Sequence, residues 1–190
     1  MKTTPPLIEV RTRKDIPKNS VAAIARELRK LGNVRVREWS PEPQAAAFDW
    51  GLPALVLMYV AGRLFEGFLQ ELGATGARTM KAKLGKFIQG LKKRENRWMT
   101  TSEKTRFGPS FSIEFELEGT SRIRCLIRCV FSQTLSDEDI LAALTHLPRD
   151  MTSAAQRVRA KLPPHGSGVL GETYVYDSKT QRWKPARYLP

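Results

Sequence analysis

Apolar and polar residues alternate in four segments of the chain, which is the pattern of strands with one buried and one exposed face. The four segments are 7–13, 34–37, 111–118 and 122–131. In the last two, the outward residues carry opposite charges, so an antiparallel hairpin would place Glu118 opposite Arg122 and Glu116 opposite Arg124. This charge match predicts the register of the hairpin independently of the apolar pattern.

Apolar residues recur at helical spacing between these strands. The predicted helices run from about Ser20 to Leu31, from Phe48 to Leu72, from Ala77 to Arg94 and from Ser136 to His146, and a shorter one covers 152–161. The sequence Ser-Asp-Glu-Asp from Ser136 has the pattern of a capping box, and Pro148 is expected to end the fourth helix. The polar stretch 95–110 is expected to form an exposed loop.

The helix predicted from Phe48 to Leu72 contains a long uncharged run, Trp50 to Gly62. A membrane span requires about 20 apolar residues, and Arg63 and Glu66 would fall near its middle. We therefore expect this helix to be buried in the protein core, with a membrane-inserted helix as the alternative.

These elements predict an α+β fold, a two-layer sandwich with a mixed sheet of about four strands and helices mainly on one face. The first strand, helix and second strand would form a βαβ unit with parallel strands. Residues 1–162 are expected to form a single domain, and 163–190 a linker and a small C-terminal hairpin. Because an isolated hairpin is marginally stable, this one should dock on the domain or pair with another chain in a homo-oligomer.

The chain of 190 residues carries a formal net charge of +13, which favours contact with an anionic macromolecule. Such a partner would be nucleic acid, an acidic protein or an anionic membrane surface, although solubility alone would also explain the charge.

The N-terminal residues lack the apolar region of an export signal. Cys125 and Cys129 would lie about 13 Å apart on one strand face, too far for a disulfide. Reduced cysteines and the missing signal favour a cytoplasmic location.

The sequence shows no arrangement of residues typical of catalysis or metal binding. His146 near a helix end and His165 in a Pro/Gly-rich loop have no cysteine or carboxylate at a recognised ligand spacing. Cys129 shares the inward strand face with Ile127 and Phe131, which favours a core residue over a nucleophile. We therefore expect a protein that is not an enzyme and needs no cofactor or metal.

The helix predicted for 77–94 concentrates positive charge around an apolar stripe. Its candidate partner-binding residues are Arg78, Lys81, Lys83, Lys86, Lys92 and Lys93. Like charges at this spacing repel by roughly a few tenths of a kcal/mol per pair, a cost that an anionic partner would offset. We therefore expect a non-enzymatic interaction or adaptor module that binds its partner through these residues. The apolar stripe leaves a peripheral membrane-surface protein as a further alternative.

The loop 73–76, with the sequence GATG, resembles the GxxG loop that KH domains place between two helices. The order of helix, loop, helix, two strands and a further helix is also similar to that family. In KH domains the loop contacts the nucleic-acid backbone. The resemblance implies an alternative function, RNA or DNA binding, with Gly73, Gly76, Arg78 and Lys81 at the phosphates.

A second resemblance covers about residues 5–135. The βαβ unit, the apolar helix with the segment FEGFL at 65–69, the basic helix and the charged hairpin are together similar to small uncharacterised bacterial domains. Those domains are grouped as effector-associated components of defence systems and are thought to act as interaction or adaptor modules. The resemblance implies the same kind of role for this chain.

Overall fold

The structure, a computed structural model, describes residues 8–39, 56–74, 78–92, 97–99, 105–107, 111–117, 123–161 and 168–186. These residues contain four helices: α1 (Lys18–Leu28), α2 (Gly62–Gly73), α3 (Arg78–Lys92) and α4 (Asp137–Ala160). They also contain nine strands: β1 (Ile8–Arg13), β2 (Val34–Trp39), β3 (Val56–Val60), β4 (Arg97–Met99), β5 (Thr105–Phe107), β6 (Phe111–Leu117), β7 (Ile123–Phe131), β8 (Gly168–Asp177) and β9 (Arg182–Pro185).

Seven of these strands form one mixed sheet in the order β2-β1-β3-β6-β7-β8-β9. The pairs β1–β2, β3–β6 and β7–β8 are parallel, and the other neighbours are antiparallel. The predicted mixed sheet and its parallel βαβ unit are confirmed, but about four strands is too few, because β3, β8 and β9 also belong to it. β4 and β5 form a separate antiparallel pair inside the stretch 95–110, which was predicted to be a loop.

The four helices pack against one face of the large sheet and form the second layer of the sandwich. Aromatic rings join the two layers: the ring centroid of Phe65 on α2 lies 5.1 Å from that of Phe115 on β6. The centroid of Phe87 on α3 lies 6.1 Å from that of Phe111 on the same strand. The predicted α+β class is confirmed, and the core lies between the two layers.

The segment predicted as one buried helix from Phe48 to Leu72 contains a strand followed by a helix. β3 pairs with β1 on one side and with β6 on the other, and α2 begins at Gly62. Residues 48–55 lie outside the described part of the chain. A strand with neighbours on both sides can be apolar throughout, and the sequence VLMYV of β3 suits this position.

α4 continues to Ala160, well beyond its predicted end at His146, and includes Pro148. Proline removes one backbone hydrogen bond and costs about 3 kcal/mol in a helix interior. The buried stripe of α4 continues across the proline through Leu147 and Met151, so burial of apolar side chains offsets this cost. The short helix predicted after Pro148 is the second half of α4.

The β6–β7 hairpin is present, but its register differs by two residues from the predicted one. Glu116 lies opposite Leu126 rather than Arg124, and Glu114 lies opposite Arg128. A shift of two keeps every side chain on its own face, so the apolar pattern cannot distinguish the two registers. The charges still match, because Arg124 Nε reaches Glu116 Oε1 diagonally at 2.9 Å.

β8 and β9 form the predicted C-terminal hairpin, and β8 continues the sheet beside β7. Trp183 of β9 is buried, with its ring centroid 5.1 Å from that of Phe131. Its indole Nε1 donates a hydrogen bond to the Ala143 carbonyl of α4 at 3.0 Å. The hairpin therefore docks on the body of the protein, one of the two arrangements expected for it.

Candidate functional site

α3, which contains most of the basic residues singled out in the sequence, lies between α1 and α4 in the helix layer. Its apolar stripe is buried, as predicted, and consists of Met80, Leu84, Phe87, Ile88 and Leu91. The basic side chains occupy the remaining circumference and therefore face either a neighbouring helix or solvent.

Lys83 extends from α3 towards α1, where its Nζ forms a short ion pair with Glu27 Oε1. The other oxygen of this carboxylate accepts a hydrogen bond from Lys30 Nζ at 2.7 Å. The Glu27 side chain is only 5% exposed. Hydrogen bonds from Lys30 and from Lys83 lower the pKa of Glu27 below its ordinary value of 4.5, against the opposing effect of burial. Two ammonium groups on one carboxylate leave a net positive charge between α1 and α3.

Lys92 lies on the other flank of α3, towards α4. Its Nζ is 3.5 Å from Asp137 Oδ1 in the first turn of that helix. Because the Asp137 side chain is 67% exposed, water screens this pair, and it contributes at most about 1 kcal/mol to stability.

Three of the predicted residues form no ion pair within the described residues: Arg78, Lys81 and Lys86. Arg78 and Lys86 are exposed and Lys81 is half-buried. Lys93, which was predicted with them, lies outside the described part of the chain. The cations of α3 thus divide into two that hold neighbouring helices and three whose charge the described residues leave unneutralised.

Lys86 stands between two depressions of the surface. The larger, of about 440 Å³, is lined by Lys86, Gln89, Gly90, Lys92 and Asp137. The smaller, of about 100 Å³, separates α3 from the start of α1 and is also lined by Lys86. A Cβ on Gly90 would meet no atom within 4 Å, so the larger cleft opens directly onto the helix backbone. An anionic group in this cleft would have ammonium groups on its border.

The loop singled out for its GATG sequence connects α2 and α3. Gly73 is the last residue of α2, and Ala74 N donates to Gln70 O at 2.8 Å at the end of the helix. Gly76 lies outside the described residues. Because α2 begins only at Gly62, the helix before the loop has 12 residues and is half as long as the sequence predicted.

Within the described residues, no group of three or more His, Cys, Asp or Glu side chains is placed to hold a metal ion. Cys125 and Cys129 are free and buried on β7, as predicted. Burial raises the pKa of the Cys129 thiol well above its ordinary value, and Sγ lies 3.0 Å from Met151 Sδ. A protonated thiol enclosed by the core does not suit a nucleophile. His146 is half-buried on α4, and His165 lies outside the described residues.

Glu27 and Lys30 belong to the charged contacts of α3 but were not singled out in the sequence. A signal was present, because Glu27 lies three residues after Ile24 and next to Leu28, on the side of α1 that carries its apolar residues. A carboxylate on a buried stripe requires a cationic partner. The identity of that partner depends on tertiary structure, since Lys83 is 56 residues away in the chain.

In the described part of the chain, none of the helices is long and apolar enough to cross a membrane. No model of a known protein family matches the chain, and neither a curated protein nor a solved structure matches it.

Proposed function

We propose that this protein is a non-enzymatic interaction module that binds an anionic macromolecule through the exposed side of α3. The observation that carries the proposal is the unneutralised charge of Arg78, Lys81 and Lys86, which we call the basic face. Bringing an anionic polymer to these residues would relieve their mutual repulsion and release counterions from both surfaces.

The β6–β7 hairpin matches its charges more closely than the basic face does. On the open face of the sheet, Arg128 pairs with Glu114 and Arg124 with Glu116. A surface whose charges served only solubility would mix signs in this way. The three cations of the basic face form no ion pair with a carboxylate of the described residues.

The buried apolar stripe of α3 fixes the helix in place, with ion pairs on either side, and this supports a binding role. Lys83 connects the helix to α1, and Lys92 connects it to α4. Cations presented on a rigid helix lose less conformational entropy on binding than cations on a loop.

The position of the apolar stripe favours nucleic acid or an acidic protein over a membrane surface as the partner. An interfacial helix inserts its apolar side among the lipids. On α3 that side belongs to the core, where Phe87 is 7% and Leu91 3% exposed. Membrane insertion would require α3 to leave the helix layer.

The proposal is tested by reversing the three charges of the basic face together, as Arg78→Glu, Lys81→Glu and Lys86→Glu. The matched control reverses three exposed cations elsewhere, as Arg63→Glu, Lys179→Glu and Arg182→Glu, with the same change in net charge. Fluorescence anisotropy would measure binding of labelled single-stranded RNA, duplex DNA and polyglutamate at several salt concentrations. Circular dichroism would confirm that both variants are folded.

We expect the basic-face variant to bind at least one polyanion much more weakly than the control. For RNA, the removal of each cation that neutralises a phosphate should make the slope of log affinity against log salt shallower by about 0.7. Equal binding by both variants would overturn the proposal, because binding would then depend on the net charge of the protein and not on the position of these three cations.

A KH-like nucleic-acid binder is the second candidate, and the short α2 favours it. The GATG loop joins helices of 12 and 15 residues, so the helix before it is short, as in that family. In this mode the phosphates would lie against the loop, close to the start of α3 at Arg78.

The two candidates respond differently to acidic residues in the loop, introduced as Ala74→Asp with Thr75→Asp. A KH-like protein would lose RNA and DNA binding, whereas docking on the basic face would persist with polyglutamate as the ligand. Loss of nucleic-acid binding in the loop variant, with little change on Lys86→Glu, would favour the KH-like mode.

A further inference from the structure

β2 forms one edge of the large sheet, and among the described residues no strand pairs with its outer side. Its pairing with β1 shows which backbone groups face outwards. Ile8 N donates to Asn33 O at 2.9 Å, and Ile8 lies beside Val34 in the register. Because bonding residues alternate along a parallel strand, the residues on either side of Val34 bond to β1. Val34, Val36 and Glu38 therefore direct their N–H and C=O groups away from the sheet.

The open face of the sheet has a surplus of positive charge along this edge. Arg11 and Arg37 share the carboxylate of Glu9, with Arg37 Nε 3.2 Å from Oε2. Both arginines remain half exposed, at 50% and 52%. Arg35, beside Glu9 in the register, has no ion pair within the described residues. Two arginines therefore share one carboxylate, and the third, Arg35, has no such partner in the described part of the chain.

The helix-facing side of the same edge carries Val34 and Val36, followed by Glu38, which pairs with Lys18 at 3.5 Å. Val34 packs against the core from the edge of the sheet, and Val36 is 41% exposed there. A strand added beside β2 would cover Val36 with its own side chains, since paired residues point to the same face. The edge thus presents arginines on one face and two valines beside the Lys18–Glu38 pair on the other.

Pairing with β2 of a second copy of this chain is disfavoured. If two copies met antiparallel with Val36 opposite Val36, Arg35 of one copy would lie opposite Arg37 of the other. Shifting the register by two residues places Arg35 opposite Arg35 in one direction and Arg37 opposite Arg37 in the other. Like charges directly opposite each other destabilise a strand pair.

We propose that β2 accepts an extended acidic peptide of a partner protein as an eighth strand of the sheet. The peptide alternates acidic residues, which face Arg35, Arg37 and Arg11, with apolar residues, which cover Val36. Backbone hydrogen bonds to Val34, Val36 and Glu38 supply affinity, and the arginines supply selectivity. The same arginines discourage neutral and basic strands, which protects the edge from unspecific association.

This surface is distinct from the basic face of α3 and does not depend on the function proposed for it. The arginines of β1 and β2 lie on the face of the sheet opposite the helix layer, whereas the basic face lies on a helix within that layer. The two sites would therefore respond to different substitutions.

Amide hydrogen exchange of the full chain, measured by NMR, tests the proposal directly. The probe is a short capped peptide that alternates glutamate and valine, and its control replaces every glutamate with lysine. We expect the acidic peptide to slow exchange at Val34, Val36 and Glu38, whose amides face outwards. Exchange at Arg35 and Arg37, whose amides already bond to β1, should change little.

Two substitutions of Val36 make the test sharper. Val36→Pro removes an outward N–H without removing a bond to β1, and edge strands tolerate proline at such positions. We expect it to weaken peptide binding about fivefold or more, the effect of removing at least one backbone hydrogen bond. Val36→Thr keeps the N–H and should bind the acidic peptide nearly as tightly as the parent protein does. Arg35→Gln should weaken the binding of the acidic peptide.

Four outcomes would overturn the proposal. Equal binding of the acidic and the lysine peptide would remove the role of the arginines. Unchanged exchange at the three outward amides with saturating acidic peptide would place the peptide elsewhere, and failure of the basic-face variant to bind the peptide would place it on α3. Protection of these amides by dimerisation without peptide would make a second copy the occupant.

Discussion

At the scale of single residues, Glu27 is a nearly buried carboxylate that depends on two cationic partners. Its carboxylate lies between α1 and α3 and accepts from both Lys30 and Lys83. Lys83 belongs to the cations singled out in the sequence, but its ion pair gives it a structural role as well. Charge reversals that include Lys83 would therefore mix a loss of stability with a loss of binding.

Lys83→Met should destabilise the protein near neutral pH, because a nearly buried carboxylate loses one of its two cations. The folded-state pKa of Glu27 is lowered, so its contribution to stability is present above the unfolded pKa and is lost as pH falls through the folded pKa. The destabilisation in Lys83→Met should accordingly be largest near pH 7 and shrink in acid. Urea unfolding at several pH values would measure it.

Lys81→Met is the matched control, since Lys81 has no ion pair within the described residues. It should leave the urea midpoint close to that of the parent at every pH. If both variants were destabilised equally, the ion pair between Glu27 and Lys83 would contribute nothing specific.

At the scale of elements, replacing three helical glycines with alanine separates the effect of helix packing on stability from the effect of helix propensity. A Cβ on Gly67 or Gly90 would meet no atom within 4 Å, whereas one on Gly85 would lie 2.9 Å from Leu141 Cδ2. Gly67→Ala and Gly90→Ala should each stabilise the protein by about 0.5–1 kcal/mol. Gly85→Ala should stabilise it less than the other two, because the end of the Leu141 side chain must move. Equal stabilisation by all three substitutions in urea unfolding would contradict the close approach of α3 and α4.

The start of α4 offers a second test at this scale. Ser136 Oγ accepts from Asp139 N at 3.0 Å, and Asp139 Oδ2 accepts from Ser136 N at 3.1 Å, which confirms the predicted capping box. Ser136→Ala should cost about 1 kcal/mol in urea unfolding. Ser153→Ala, on the exposed side of the same helix, should cost little, and equal costs would show that the cap is not the cause.

Sequence patterns predicted the type of most elements but not every boundary. The strand β3 was predicted as part of a helix because a continuous apolar run has no period that separates a central strand from a buried helix. The end of α4 was misplaced at Pro148, since burial beyond a proline is decided by tertiary packing. The β6–β7 register was missed by two residues for a related reason, because both registers satisfy the same alternation.

At the scale of the whole molecule, Trp183 connects the C-terminal hairpin to the core. Its ring contacts Phe131 and Tyr176, and its backbone N donates to Asp150 Oδ2 at 3.0 Å. Trp183→Ala should therefore cost about 3–5 kcal/mol, the usual effect of removing a large buried side chain. Differential scanning calorimetry would show one transition at a lower temperature.

Trp183→Phe is the control for this prediction, because it keeps an aromatic ring and removes mainly the hydrogen bond to Ala143, at a cost of about 1 kcal/mol. A separate low-temperature transition in Trp183→Ala, with the main transition unchanged, would show that 168–186 unfolds by itself.

The sequence predicted the hairpin, but its place beside β7 depends on contacts that alternation does not encode. The basic residues of α3 were likewise visible in the sequence, whereas their division into paired and unpaired cations was not.

The position of β3 also divides the molecule into units that can open separately. The β1–α1–β2 unit joins the remainder of the described chain chiefly through the pairing of β1 with the five-residue β3 and through the packing of α1 against α3. The nine-residue β7, by contrast, is enclosed on both sides by β6 and β8. Proteins open in such cooperative units well below the free energy of global unfolding. In the native state the N-terminal unit would therefore open more often than the strands around β7, whose amides would exchange only when the whole molecule unfolds.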